Sequence, residues 1–132
     1  AVLSMLLALS GCTGDPVARR PDLVLVSLDT TRSDRFEAVS RQEPAWARPR
    51  DGGARYAAAA SPTPITLPAH TSLLSGLDPD RHGVRLNGQQ VPDRISLLQE
   101  RLAAAGYRTG GFVSAYPLHR QFGLARGFAT WD

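Results

Sequence analysis

The chain has 132 residues, is 42% hydrophobic and carries a formal net charge of +3. That length and apolar content are enough for the core of one ordinary domain, which excludes a disordered chain and argues against several domains. All 15 basic residues are arginine and are scattered without a run, so the sequence does not indicate a nucleic-acid-binding surface.

The first segment is apolar but short. Residues 1–9 fall far below the ~20 residues that span a bilayer and indicate the hydrophobic part of a secretion signal. The tetrad that follows, Leu9-Ser10-Gly11-Cys12, resembles the bacterial lipoprotein box. We therefore expect a signal peptide over residues 1–11, truncated at its start, lipidation of Cys12 and a tether over residues 12–21. By resemblance to lipoprotein sorting signals, Thr13 after the cysteine implies a lipid anchor in the outer membrane facing the periplasm; a buried structural cysteine is the alternative.

An apolar run, residues 23–28, comes next and predicts a central strand covered by helices on both faces. Asp29 follows this run directly, at the carboxyl end of the predicted strand. Ligands of open α/β sheets bind at that edge, and a carboxylate there suits a hard divalent cation. The alternative is that Asp29 caps the turn continued by Thr30. Asp34 is expected at the start of a helix or in solvent.

The stretch from Ser61 to Gly76 is punctuated by proline and then becomes apolar. Pro62 and Pro64 favour an extended approach, Pro68 fits only a first helical turn, and Gly76 provides a stop. We predict a helix beginning at Thr66, whose hydroxyl would lie where unpaired backbone N–H groups favour an anion. The alternative is that Thr66 serves only as an N-cap.

The rest of the chain alternates turns, helix and strand. Residues 78–83 are a turn by composition, in which His82 lies either on the rim of a pocket or in a solvated loop, and Asn87-Gly88 is a strong turn dipeptide. A helical apolar stripe from Ile95 to Ala105 is expected to be core, and residues 108–114 are expected to form a second inner strand. A short strand is also expected over residues 56–60. Alternation of this kind predicts an α/β fold with a mainly parallel sheet.

Several of these segments, in this order, resemble the sulfatase family of the alkaline phosphatase superfamily. The matching stretches are Arg20 to Asp34, Thr66 to Gly76, Pro79 to Val84, Leu102 to Thr109 and Phe122 to Phe128. In this resemblance Thr66 stands at the nucleophile position, His70 at the position of an arginine, and Asp29 at a metal ligand. It implies that residues 22–132 are the N-terminal part of an alkaline-phosphatase-like sandwich, incomplete at the C-terminus and inactive by itself.

The implied activity is metal-dependent hydrolysis of sulfate esters. Asp29 and Thr66 would bind the cation, Ca²⁺ in the first place and Mg²⁺, Mn²⁺ or Zn²⁺ as alternatives, while Arg32 and His70 would neutralise the anion. His82 is a candidate substrate-binding residue. A threonine cannot be converted to the formylglycine of true sulfatases, however, and unmodified threonine is the nucleophile of some phospho-transferring relatives. Two alternatives therefore stay open: a phosphodiesterase or phospho-group transferase using Thr66, and a non-catalytic envelope lipoprotein that retains the fold.

Overall fold

The structure is a computed structural model that describes residues 20–46 and 51–132. In chain order the helices and strands are α1 (Ser33–Ser40), α2 (Thr66–Ser75), α3 (Pro79–His82), α4 (Leu98–Ala104), β1 (Gly110–Gly111) and β2 (Thr130–Trp131). Single 3-10 turns lie at Pro44–Trp46, Tyr116–Leu118 and Arg120–Phe122. The predicted signal peptide over residues 1–11, Cys12 and the predicted tether up to residue 19 lie outside the described residues, so the signal peptide, the tether and lipidation stay predictions. No helix in the described ranges is long and apolar enough to cross a bilayer.

Helix α2 begins at Thr66, as the proline pattern predicts. Ile65 before it is extended, with φ −107° and ψ 131°, and its carbonyl accepts the first helical hydrogen bond from Ala69. The helix ends at Gly76, whose φ of 72° is left-handed and whose N–H donates to the Ser72 carbonyl. Glycine tolerates that conformation without the penalty of a Cβ atom, which explains the stop.

The apolar core is built from the second half of the chain. Its buried members are Leu67, Val84, Val91, Ile95, Leu97, Leu118, Phe122 and Leu124. Leu67 is fully buried and fastens the first turn of α2 to this core. The opposite edge of α2, where Thr66, His70 and Leu73 follow one another at helical spacing, is partly or largely exposed. The core therefore fixes α2 while leaving its Thr66 edge accessible.

The sheet consists of β1 and β2, which run parallel with Gly110 opposite Thr130 and Gly111 opposite Trp131. A Cβ atom on Gly111 would lie 2.5 Å from the Trp131 ring, so the close approach requires glycine. The second strand predicted over residues 108–114 is thus confirmed only for two residues.

The predicted helix begins three residues late, at Leu98, although Ile95 and Leu97 are buried as expected. A mixed α/β architecture with a parallel strand pair is confirmed.

The prediction of a buried central strand over residues 23–28 is wrong for this structure. These residues form no strand, and their five apolar side chains are between 45% and 86% exposed. A strand requires a hydrogen-bonded neighbour, and the only ladder in the described residues joins β1 to β2. Residues 56–60 likewise contain a turn and no strand. Asp34 lies in the first turn of α1, which confirms its placement at a helix start.

Candidate active site

Thr66 and Asp29 meet although 37 residues separate them in the chain. The Thr66 hydroxyl Oγ1 donates to Asp29 Oδ2 at 3.2 Å. Asp29 lies on a tight turn in which Thr30 has a left-handed φ of 57° and the Thr31 hydroxyl donates to the Asp29 carbonyl at 3.2 Å. Thr66 is the first residue of α2, and the cap position belongs to Ile65. The Thr66 hydroxyl is therefore engaged with a carboxylate and does not cap its own helix.

Asn87 binds the start of the same helix. Its side-chain Oδ1 accepts a hydrogen bond from the Leu67 backbone N–H at 2.9 Å, directly after Thr66. This contact satisfies one of the N–H groups that a helix start leaves unpaired. The same bond identifies Oδ1 as the amide oxygen, so the amide nitrogen Nδ2 points away from the Leu67 N–H. Nδ2 has no hydrogen-bond partner among the described residues. A free amide donor consequently lies near the first turn of α2.

His70 lies one turn along α2 and is held at both ring nitrogens. Its Nδ1 lies 2.8 Å from the Thr66 carbonyl oxygen, and its Nε2 lies 2.9 Å from the Ser27 hydroxyl oxygen. Both His70 and Ser27 line a cleft of about 420 Å³ beside α2, together with Pro62 and Leu73. The predicted role of His70 in neutralising an anion would require a ring nitrogen to leave one of these partners.

Arg32 is also engaged elsewhere. Its Nε and Nη2 each donate to one oxygen of the Asp34 carboxylate at 3.0 Å and form a bidentate ion pair on the exposed surface. This pairing raises the pKa of Arg32 and lowers the pKa of Asp34. The structure therefore brings Thr66, Asp29 and His70 together, whereas Arg32 forms an ion pair with Asp34.

His82 does not lie on the rim of a pocket, because its side chain is completely buried. The Val84 N–H donates to its Nδ1 at 3.0 Å, so the ring proton lies on Nε2, which is 3.0 Å from the Ser72 hydroxyl oxygen. Burial lowers the pKa of His82, and the nearby charge of Asp78 offsets part of that shift. His82 is thus a neutral core residue that joins α3 to α2.

Asp29 and Thr66 offer part of a metal site. A carboxylate oxygen and a hydroxyl oxygen 3.2 Å apart are ligands of the kind that hard divalent cations take. A complete shell needs more ligands, and the described residues contain no group of three or more His, Cys, Asp or Glu side chains that could hold a metal. The two oxygens fit a cation as members of a larger ligand set.

Two residues of the site were missed by sequence reasoning. Asn87-Gly88 forms the predicted turn, with φ 85° at Gly88, but its composition gave no sign that the Asn87 amide reaches α2. Ser27 could have been predicted from the sequence, because it precedes Asp29 by two residues. Side chains two residues apart on an extended segment face the same side, so Ser27 and Asp29 should both face the site.

The mixed α/β fold thus places a threonine hydroxyl at a helix start against a carboxylate. The profile of the family described as type I phosphodiesterase / nucleotide pyrophosphatase matches residues 23–95, more than half of the chain. The chain belongs to this family, which lies in the alkaline phosphatase superfamily and typically uses divalent metals. The comparisons with curated proteins and with solved structures found no significant match. The match favours the phosphodiesterase alternative over the predicted sulfatase.

Proposed function

We propose that this protein hydrolyses phosphodiesters with Thr66 as the nucleophile. The observation that carries the proposal is the hydrogen bond from Thr66 Oγ1 to Asp29 Oδ2, formed at the first residue of α2 within the matched family region. The alkaline-phosphatase-like sandwich predicted for residues 22–132 is the finer structural part of the same proposal, and the family match supports it.

The reaction proceeds by two displacements at phosphorus. Thr66 Oγ attacks the phosphorus as its proton passes to Asp29 Oδ2, the Oγ–P bond forms, and the bond from phosphorus to one alcohol oxygen breaks. That alcohol leaves and takes a proton from solvent. Water then attacks the phosphothreonine and releases a proton to solvent, the Oγ–P bond breaks, and Asp29 Oδ2 returns its proton to Thr66 Oγ while a phosphomonoester departs. A divalent cation on Asp29 and Thr66, when bound, would lower the pKa of the hydroxyl and stabilise charge on the phosphoryl oxygens.

The non-bridging oxygens need donors that are in place before the reaction. The Asn87 Nδ2 amide group and the Thr66 backbone N–H are the proposed donors, because the Leu67 N–H already donates to Asn87 Oδ1 and Pro68 has no N–H. Fixed donors at developing charge stabilise a transition state more than mobile water does. Asn87 is therefore proposed as a phosphoryl-binding residue, held in position by its bond to the Leu67 N–H.

Sulfate esters are the competing substrate class. The motif order predicts them, but Thr66 carries no group that the known maturation converts to formylglycine, and the family match is to phosphodiesterases. The test is a parallel assay of the product of the complete reading frame, with Mn²⁺ or Ca²⁺, on bis-p-nitrophenyl phosphate and on p-nitrophenyl sulfate.

We expect turnover of the phosphodiester and a loss on the order of 10³ or more in kcat for Thr66→Ala. Asp29→Asn should also inactivate the protein and weaken Mn²⁺ binding in calorimetry, whereas Asp34→Asn, an exposed carboxylate paired with Arg32, should do neither. Faster turnover of the sulfate, or full activity in Thr66→Ala, would refute the proposal. Absence of both activities in the wild-type protein would favour the non-catalytic lipoprotein.

A further inference from the structure

Two side-chain hydrogen bonds join the segment that ends at Asp29 to helix α2. Asp29 and Ser27 are two residues apart on this extended segment. Thr66 and His70 are one helical turn apart on α2. The Asp29–Thr66 bond measures 3.2 Å and the Ser27–His70 bond 2.9 Å. A third contact closes the arrangement, since His70 Nδ1 lies 2.8 Å from the carbonyl oxygen of Thr66 itself.

We propose that Ser27 and His70 are positioning residues that set the distance between Asp29 and the Thr66 hydroxyl. The inference rests on the proposed function. A carbonyl accepts only, so His70 Nδ1 carries the proton facing Thr66, and in the neutral ring Nε2 then accepts from the Ser27 hydroxyl. The ring is thereby fixed at both ends, with one end on the nucleophile's backbone and the other on the segment that carries Asp29.

The need for this second bond follows from the packing. None of the buried core residues of the described chain comes from the segment before α2, and residues 23–28 have no strand neighbour there. Asp29 is exposed and makes a single side-chain bond to α2. Without the Ser27–His70 bond, the Asp29–Thr66 bond would be the one side-chain hydrogen bond between this segment and α2 in the described residues.

A direct role of His70 as a proton donor to the leaving alcohol is the competing explanation. It would require Nε2 to face the substrate, whereas Nε2 faces Ser27 in this structure. The two roles differ in their dependence on the leaving group. A proton donor matters most for a poor leaving group, whereas misplacement of the nucleophile slows good and poor leaving groups alike.

The test compares Ser27→Ala and His70→Phe with Ser61→Ala in the product of the complete reading frame. Ser61 lines the same cleft, but its hydroxyl donates to the Thr63 carbonyl and not to α2, so it is a matched control. We expect Ser27→Ala to lower kcat by about tenfold to a hundredfold with KM nearly unchanged, because a misplacement of about 1 Å costs on that order. The loss should be equal for p-nitrophenyl and alkyl phosphodiesters.

The double variant Ser27→Ala/His70→Phe should be no slower than His70→Phe alone, because the two residues act through one bond. A readout independent of turnover is the ¹⁵N resonance of the His70 ring. The protonated nitrogen should be Nδ1, and the Nε2 resonance should move in Ser27→Ala but not in Ser61→Ala.

Equal kcat in Ser27→Ala and Ser61→Ala would overturn the inference, and so would a ring proton on Nε2 or an effect confined to poor leaving groups. If none of the proteins hydrolyses a phosphodiester, the proposed function fails. The ring resonances then still decide whether Ser27 holds His70.

Discussion

Replacement of Asn87 should separate the stability of α2 from the activity of the site. The Asn87 side chain has two ends with different tasks: Oδ1 accepts from the Leu67 N–H, and Nδ2 is the proposed donor to the phosphoryl group. Asn87→Ala removes both ends. Asn87→Asp keeps an oxygen that can accept from the Leu67 N–H. It replaces the amide NH2 with the second oxygen of a negatively charged carboxylate, so the donor is lost.

The magnitudes follow from these contacts. Loss of a side-chain acceptor at a helix start costs about 0.5–2 kcal/mol, so Asn87→Ala should lower the free energy of unfolding by that amount. Asn87→Asp should match or exceed wild-type stability, because a carboxylate near a helix N-terminus contributes about 0.3–1 kcal/mol. Both variants lose one donor to the phosphoryl oxygens and should lose on the order of 10²–10³ in kcat. The aspartate should be the slower enzyme, since it also repels an anionic substrate.

Urea denaturation and phosphodiesterase kinetics on the same preparations measure the two effects. Gln90→Ala is the control, because Gln90 is an exposed amide of the same loop that donates to the backbone of Gln121 and not to α2. Wild-type kcat in Asn87→Asp would refute the phosphoryl-binding role. Equal destabilisation by alanine and aspartate would refute the assignment of Oδ1 as the acceptor for α2.

Two further predictions concern the fold that holds the site. Burial lowers the pKa of His82 below its ordinary 6.5, so the unfolded chain binds a proton that the folded protein excludes. The free energy of unfolding should therefore fall as the pH drops below about 6.5 towards the folded pKa, by at most about 1.4 kcal/mol per pH unit, and urea titrations of His82→Gln should lack this slope. Gly127→Ala should be far more destabilising than Gly76→Ala. Both glycines have a left-handed φ, of 80° and 72°, but a Cβ on Gly127 would meet the α4 backbone at 2.7 Å while that on Gly76 meets open space. Thermal melts that show equal losses would contradict the contact.

The local chemistry of the nucleophile helix could be predicted from the sequence. Proline at the third helical position and glycine after the last turn are strong local signals, and they placed both ends of α2 correctly. The partner of Thr66 followed from a different argument, because a carboxylate after an apolar run was expected at the edge where ligands bind. The structure brings these two residues together without the strand on which the argument was based.

The parts that could not be predicted depend on contacts between distant segments. An apolar run indicates a strand only if neighbouring strands pair with it, and no local pattern contains that information. The burial of His82 and the reach of Asn87 to the Leu67 N–H depend on how α3 and the following loop fold back on α2. Composition alone placed both residues in turns, with His82 either on the rim of a pocket or in a solvated loop, and the geometry assigned His82 to the core and Asn87 to the site.

The exposed apolar run at residues 23–28 gives Asp29 a second significance. Six residues with no charge, no proline and mostly β-branched or leucine side chains have the composition that promotes intermolecular cross-β association. Asp22 and Asp29 flank this run, and charges in such places act as gatekeepers against aggregation. Asp29→Asn therefore removes one of the two flanking charges as well as the partner of Thr66. Preparations of that variant should accordingly be compared with wild-type protein for colloidal stability before their kinetics are interpreted.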